Sequence, residues 1–197
     1  SLADGKVFHH VSDTAERSWS APPWHPRNDP AESWRNYLLE ENRRADATQD
    51  RRGPPVECAD VADDQYYDGR IADHAIADLQ RLATDDSPFF LAAGFLKPHL
   101  PFNAPKRYWD YYQRRDITPA ENPFRPRNAP DEALHNWGEL RSYAGIPREG
   151  DLTDEQACEL IHGYYAATSY TDAQIGRVIA ELDRLGLRDN TIVVLWG

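Results

Sequence analysis

Apolar residues recur along two stretches of the chain at the spacing of a helix face. Over residues 69–83 they return every three or four positions, and over residues 153–185 the same period continues for much longer. Thr153 and Gln156 stand at the start of the second stretch in the pattern of a capping box, and Gly186 follows its end. The pattern predicts helices over 69–83 and 153–185.

Each predicted helix is followed by a nearly continuous apolar run, over residues 88–96 and 191–197. A run of this kind is typical of a strand that is buried on both faces of a parallel sheet. Helices that alternate with such strands indicate an α/β fold with a mostly parallel sheet. We therefore expect 88–96 and 191–197 to be core strands.

Two long segments, residues 11–67 and 115–150, are rich in proline and show little periodicity, so we expect loops there. Loops of this length are uncommon unless they are functional or disordered. Trp19, Trp24 and Trp34 lie in the first loop. Their rings either stack against a sugar or pin the loop to the core, and the sequence leaves both alternatives open.

Chemically useful side chains follow the first predicted strand. Lys97 and His99 come directly after residues 88–96, and Pro98 and Pro101 restrict the backbone around them. In open α/β sheets, ligands bind beyond the carboxyl ends of the strands. We expect Lys97 and His99 to lie at a binding site. For His99 the alternative is a core histidine bonded to a backbone carbonyl.

A second pair of such side chains, Lys6 and His9, follows Gly5 near the start of the chain. Their spacing is ambiguous, because the side chains converge in a turn and point apart in a straight strand. On spacing alone, both are ordinary surface residues.

Four aspartates cluster before the first predicted helix: Asp60, Asp63, Asp64 and Asp68. An acidic run in this position is far more often a solvated cap than a metal site. We expect Asp68 to cap the helix. No metal ligand is assigned in the chain.

The net charge of −11, from 33 acidic and 22 basic residues, disfavours a general affinity for nucleic acid or anionic membranes. No apolar run reaches the length that spans a bilayer. We therefore expect neither nucleic acid nor a membrane span among the partners of this chain.

Short motifs in order along the chain resemble the sulfatase family of the alkaline phosphatase superfamily, with most likeness to its iduronate-2-sulfatase branch and bacterial relatives. The motifs are Gly5-Lys6-Val7-Phe8-His9, Ser18-Trp19-Ser20, Lys97-Pro98-His99, Ser169-Tyr170-Thr171-Asp172 and the final run 191–197. Each is weak alone, but their order and spacing together are specific.

The resemblance implies an alkaline phosphatase-like α/β/α sandwich, of which residues 1–197 form the central part of the catalytic domain. The remainder of that domain is then an expected partner of this chain. A periplasmic, secreted or lysosome-like compartment is expected from the family.

The resemblance also implies a sulfuric ester hydrolase that acts on a sulfated carbohydrate, such as a 2-sulfated uronic acid. The family's nucleophile is formylglycine, made from a cysteine or serine in a Cys-x-Pro-x-Arg context, and its cofactor is calcium. Neither Cys58 nor Cys158 has that context. We expect the nucleophile and the calcium ligands to lie outside this chain, so the chain alone is expected to be inactive.

Four residues take roles from the resemblance. Lys6 is expected to stabilise negative charge on the sulfate and the nucleophile, and His9 to accept a proton when the covalent sulfate is expelled. His99 is expected to contact the sulfate and assist the leaving oxygen. Lys97 either attracts the substrate or supports the loop.

Two other functions remain open from the sequence. A phosphodiester or phosphonate hydrolase of the same superfamily shares the implied fold and metal site. A non-catalytic, sulfatase-like protein that binds glycans is the third alternative.

Overall fold

A computed structural model describes residues 1–10, 14–27, 33–48 and 50–197 of the chain. Its strands are β1 (Leu2–Gly5), β2 (Val56–Ala59), β3 (Leu91–Gly94) and β4 (Phe102–Pro105). Its α-helices are α1 (Ala15–Ser18), α2 (Glu40–Asp46), α3 (Tyr67–Leu82), α4 (Lys106–Trp109), α5 (Gly138–Arg141) and α6 (Asp154–Arg184). Single 3₁₀ turns lie at Asp63–Gln65, Arg114–Asp116, Asp131–Ala133 and Arg188–Asn190.

The chain divides into two compact units. The first comprises Ser1–Glu32, Ala62–Leu96 and Thr171–Gly197, and the second comprises Ser33–Val61 and Lys97–Tyr170. Helix α6 contributes residues to both units.

A parallel strand pair organises the first unit. Strand β1 pairs with β3 so that Gly5 lies opposite Gly94. On its other side, β1 exchanges backbone hydrogen bonds of 2.9 Å with Trp24, which donates to Ala3 and accepts from Gly5. Strand β1 is therefore held from both sides.

Helix α3 covers this strand pair with the apolar face that the sequence predicts. Ile71, Ala75 and Leu79 are at most 3% exposed. Burial of these side chains is what stabilises the helix against the strands.

A second parallel pair, β2 with β4, lies in the other unit, with Val56 opposite Phe102. Helix α6 approaches these strands at Gly163, where a Cβ atom would lie 2.8 Å from Val56 and 3.1 Å from Phe102. Both described strand pairs are parallel, and the predicted α/β class is confirmed.

A side chain from β2 binds the segment that leads into α2. The buried carboxylate of Glu57 accepts hydrogen bonds from the N–H groups of Leu38 and Leu39 at 2.8 and 3.1 Å and from Asn42 at 2.8 Å. Two backbone N–H groups that lead into the helix thus have a buried acceptor.

Helix α6 begins with the predicted capping box. Thr153 N–H donates to Gln156 Oε1 at 3.0 Å, and Gln156 N–H donates to Thr153 Oγ1 at 3.2 Å. Gly186 has φ +70 just after the helix, and Leu187 N–H donates to Leu182 O at 3.2 Å. This is the glycine stop that the sequence indicates.

The start of the first predicted helix differs from the expectation. Helix α3 begins at Tyr67, so Asp68 lies inside it rather than at its cap. The Asp68 carboxylate is buried and accepts hydrogen bonds from Leu96 N–H at 2.8 Å and Thr171 Oγ1 at 3.1 Å. Tertiary contacts therefore engage the side chain that was expected to cap the helix.

The predicted strands also differ from the structure. Within 88–96, only Leu91–Gly94 form a strand, and these residues are half-buried, because among the described residues β3 has β1 as its strand partner. Residues 191–197 form no strand, and Ile192 and Trp196 are 93% and 78% exposed. Apolar sequence predicts burial only where a neighbouring element covers it.

The predicted loops contain regular elements. Segment 11–67 includes α1, α2 and β2, and 115–150 includes α5. In the first segment, Trp19 stacks on the exposed Phe90, with ring centroids 6.0 Å apart, so it contacts the protein surface next to β3. Among the described residues, no helix combines the length and the apolarity that a membrane span requires.

Candidate active site

The carboxyl end of β1 presents the first pair of predicted site residues. Gly5 has φ +74, and Lys6 N–H donates to Gly94 O at 2.7 Å. The chain therefore leaves the sheet at Lys6, whose side chain is exposed. This is the edge of a parallel sheet at which ligands bind.

His9 lies after this turn and is exposed. Its ring meets that of His10 edge-on, with centroids 4.5 Å apart. His10 lines a shallow depression together with Phe8, Trp19 and His25. Two imidazole rings therefore lie side by side after this turn.

His25 is a titratable group beside this depression that sequence reasoning assigned no role. Desolvation by its surroundings lowers the pKa of His25, and the charge of Arg27 lowers it further. His25 and His10 line the same depression only because of the fold, so their spacing in the sequence does not predict that they lie close together.

The second pair of predicted residues lies in the segment from Lys97 to Pro101. Lys97 Nζ donates to the carbonyl of Pro101 at 2.5 Å and lies 3.4 Å from that of His99. The ammonium thus binds the backbone of its own loop. Of the two roles left open for Lys97, these contacts favour loop support.

The imidazole of His99 has a defined orientation. Its Nδ1 lies 2.7 Å from Leu100 O, and because a carbonyl only accepts hydrogen bonds, Nδ1 carries the proton. Its Nε2 lies 3.8 Å from Glu139 Oε2, and 38% of the side chain is exposed. The bond to a backbone carbonyl that the core-histidine alternative predicts is therefore present, but the His99 ring is not buried in the core.

Three side chains that sequence reasoning did not place at the site form a cluster with His99. Trp34, which is 36% exposed, meets the imidazole edge-on at 5.5 Å between centroids. Arg52 pairs with Glu139 at 2.9 Å, and its guanidinium carbon lies 5.9 Å from the Trp34 ring. The Trp34 ring therefore contacts the imidazole directly, and Arg52 contacts both Trp34 and Glu139.

Tyr143 closes the buried side of this cluster. Arg52 also lies over its ring, at 5.3 Å from the centroid. Burial raises the pKa of Tyr143 to about 12, so its hydroxyl stays protonated at neutral pH. The phenol is thus a neutral support for the Arg52 guanidinium.

The four predicted site residues are divided between the two units. Lys6 and His9 belong to the first unit, and Lys97 and His99 to the second. That Lys6, His9 and His99 meet around one anion stays a prediction.

Neither cysteine fits the family's formylglycine, and Asp63 and Asp68 of the acidic run do not fit its calcium. Cys58 and Cys158 are free thiols outside the required motif, and Cys158 Sγ lies 3.3 Å from Ile117 O. In the acidic run, Asp63 accepts a hydrogen bond of 2.7 Å from Gln174, while Asp68 is occupied by a backbone amide and a hydroxyl. These partners are donors, which a calcium site would not supply.

Known proteins resemble the chain over almost its whole length. The family model described as Sulfatase matches residues 8–197. Iduronate 2-sulfatase from Mus musculus is 32% identical over 203 residues, which cover 98% of this chain and 36% of that protein. The Homo sapiens iduronate 2-sulfatase is 31% identical over 213 residues, with 98% and 36% covered.

A sulfatase named for a different substrate also matches. The ulvan-active sulfatase of Formosa agariphila is 27% identical over 183 residues, which cover 82% of this chain and 31% of that protein. The chain spans about a third of the length of these relatives. Its parallel strand pairs agree with the alkaline phosphatase-like α/β fold of the sulfatase domain. Since the family model covers nearly every residue, this chain belongs to the sulfatase family.

Proposed function

We propose that the chain is the central part of a sulfuric ester hydrolase that acts on a sulfated carbohydrate, such as a 2-sulfated uronic acid. Family membership and the relatives named iduronate 2-sulfatase and ulvan-active sulfatase support the reaction and the substrate class. The observation that carries the proposal is the orientation of His99, whose Nδ1–H is held by Leu100 O while Nε2 remains for another partner.

His99 acts at the leaving group. When the imidazole is protonated, its Nε2–H donates to the ester oxygen as the bond to sulfur breaks. The bond from Nδ1–H to the Leu100 carbonyl, 2.7 Å long, fixes the orientation of the ring and leaves Nε2 as the atom that gives up its proton. Lys97 maintains the same loop through its contact with Pro101 O.

Lys6 and His9 act on the sulfate from the end of β1. The exposed ammonium of Lys6 offsets the negative charge that develops on the sulfate oxygens. His9 serves as the second proton-transfer group. In this proposal both side chains converge with His99 on one anion.

Trp34 and Arg52 support the carbohydrate part of the proposal. A half-exposed indole offers a flat apolar face to a sugar ring, and a guanidinium binds carboxylates and sulfates through paired N–H donors. Trp34 contacts His99 and Arg52 lies over Trp34, so in this proposal both are near the scissile ester.

Kinetics of the full-length protein test the reaction. The substrates are an aryl sulfate, a disaccharide with a 2-sulfated uronic acid, and an aryl phosphonate monoester. We expect sulfate release, and His99→Ala should lower kcat roughly 10²- to 10⁴-fold, the usual contribution of a general acid. His135→Ala, which removes an exposed histidine whose ring contacts that of Trp137, should leave kcat unchanged.

Other outcomes separate the alternatives. Faster cleavage of the phosphonate than of both sulfates would support the phosphonate hydrolase, and binding of the disaccharide without turnover would support a glycan-binding protein. Trp34→Ala should raise KM for the disaccharide much more than for the aryl sulfate. The 197-residue chain alone should release no sulfate, since it lacks the nucleophile motif.

A further inference from the structure

Three potential metal ligands come together in the first unit. Asp4 lies on β1, and His74 and Asp78 lie one turn apart on α3. His74 Nδ1 is 2.9 Å from Asp4 Oδ1 and 4.0 Å from Asp78 Oδ2. The three ligand atoms lie within 4.8 Å of one another.

Asp4 is only partly satisfied in this cluster. Its side chain is 1% exposed, and its Oδ2 has no hydrogen-bond partner among the described residues. Burial raises the pKa of Asp4, against the opposing effect of His74. A buried carboxylate oxygen without a donor is costly, and a bound cation would remove that cost.

Trp24 holds the imidazole in place. Its indole stacks on the His74 ring with centroids 4.1 Å apart and planes 12° from parallel. The backbone of Trp24 is itself bonded to β1 on both sides of Asp4. The stack therefore holds the His74 ring with its Nδ1 toward the carboxylates of Asp4 and Asp78. Neighbouring residues commonly orient metal-binding histidines.

We propose that Asp4, His74 and Asp78 bind a divalent transition-metal ion such as Zn²⁺. In tetrahedral coordination, a metal about 2.1 Å from each ligand atom places the ligand atoms roughly 3.4 Å apart. The two separations from His74, 2.9 and 4.0 Å, lie on either side of this value, and all three ligand atoms lie within 4.8 Å of one another. Imidazole with carboxylates suits Zn²⁺, Mn²⁺ or Fe²⁺, whereas Mg²⁺ and Ca²⁺ prefer oxygen ligands alone.

Arg81 is a cation that pairs with one of the proposed ligands. Its guanidinium lies 2.9 Å from Asp78 Oδ1, and 59% of its side chain is exposed. Exposed ion pairs contribute little to stability, so Arg81 can turn to solvent at small cost. The Asp78 oxygen nearer to His74 is Oδ2, so the ligand atom is not the one that Arg81 contacts.

Co²⁺ titration of the full protein, with excess Ca²⁺ to occupy calcium sites, tests the proposal. We expect visible d–d absorption that His74→Ala and Asp78→Asn each abolish. His135→Ala and Asp73→Asn should retain it, since these change an exposed histidine and an exposed aspartate outside the cluster. Circular dichroism at each step checks that the variants are folded.

A thermal shift with Zn²⁺ gives a second readout. Zn²⁺ should raise the melting temperature of the wild type and of His135→Ala by several degrees, but not that of Asp78→Asn. Absent Co²⁺ absorption together with an unchanged melting temperature, or equal shifts in wild type and Asp78→Asn, would overturn the metal site. Neither readout depends on sulfatase activity, so the two proposals fail separately.

Discussion

Gly5 and Gly94 lie opposite each other at the carboxyl ends of β1 and β3, and neither position has room for a side chain. A Cβ on Gly94 would lie 2.2 Å from the carbonyl carbon of Lys6, and one on Gly5 would lie 2.3 Å from Gly94 O. The two glycines allow the close backbone approach that directs the chain from β1 into the segment of Lys6 and His9.

Gly94→Ala is therefore expected to displace Lys6 and to destabilise the protein by about 1–3 kcal/mol, the usual cost of overpacking. The matched control is Gly176→Ala on exposed helical surface, where the added Cβ meets no atom within 4 Å. That change should stabilise by roughly 0.5–1 kcal/mol, because alanine is the better helix former. Urea unfolding measures both, and equal effects of the two changes would contradict the close approach.

Asp46 anchors the segment that carries Trp34. Its carboxylate accepts hydrogen bonds from Arg35 Nε at 2.5 Å, Ser33 at 2.9 Å and Gly53 N–H at 3.0 Å. Burial alone raises the pKa of Asp46, but the bonds from Arg35, Gly53 and Ser33 outweigh it, so the pKa lies below its ordinary value of 3.8. The ionised form is therefore the one that stabilises the fold.

Asp46→Asn should lower the free energy of unfolding by roughly 2–4 kcal/mol at neutral pH, as expected for a charged hydrogen-bond network. Because the folded pKa is depressed, this contribution is present above pH 3.8 and disappears as the pH falls below it. Chemical denaturation at a series of pH values measures it. Asp50→Asn, a change at an exposed ion pair, serves as control, and a pH-independent difference for Asp46→Asn would contradict the prediction.

Lys97→Met keeps the aliphatic stem and removes the ammonium that binds Pro101 O and His99 O. We expect a loss of about 1–3 kcal/mol of stability and a perturbed ¹⁵N signal of the His99 ring, because charged hydrogen bonds to the loop are lost. Lys106→Met is the control, since its ammonium pairs with the exposed Asp110. A change in KM with unaltered stability and His99 signals would instead identify Lys97 as a substrate contact.

Thr153→Ala removes one half of the capping box at the start of α6. We expect a loss of about 1 kcal/mol, the typical value for a helix cap, measured by thermal or urea unfolding. Thr168 lies on the exposed surface of the same helix and donates to Tyr164 O at 2.8 Å. Thr168→Ala should change stability by less than about 0.5 kcal/mol, and an equal loss in both variants would argue against the cap.

Local signals in the sequence predicted the parts of the fold that depend on neighbours in the chain. The capping box of Thr153 and Gln156, the glycine stop at Gly186 and the apolar face around Ile71 each act over a few residues. The structure has all three.

Features that depend on distant residues were not predictable in this way. Glu139 and Trp34 lie far from His99 in the sequence, and only the fold brings them to its ring. Residues 191–197 have the apolar composition of a core strand, yet burial depends on a covering partner that composition does not specify. Asp68 likewise has the identity of a cap but bonds to Leu96 and Thr171.

The bonds of Glu57 with the segment that leads into α2 bear on the order of folding. A seven-residue helix such as Glu40–Asp46 is too short to persist alone in water. The N–H groups of Leu38 and Leu39, which lead into the helix, find their acceptor on β2, so we expect the helix to become stable only after that strand has assembled. Protection of the α2 amides from hydrogen exchange during folding would thus report that β2 has become ordered.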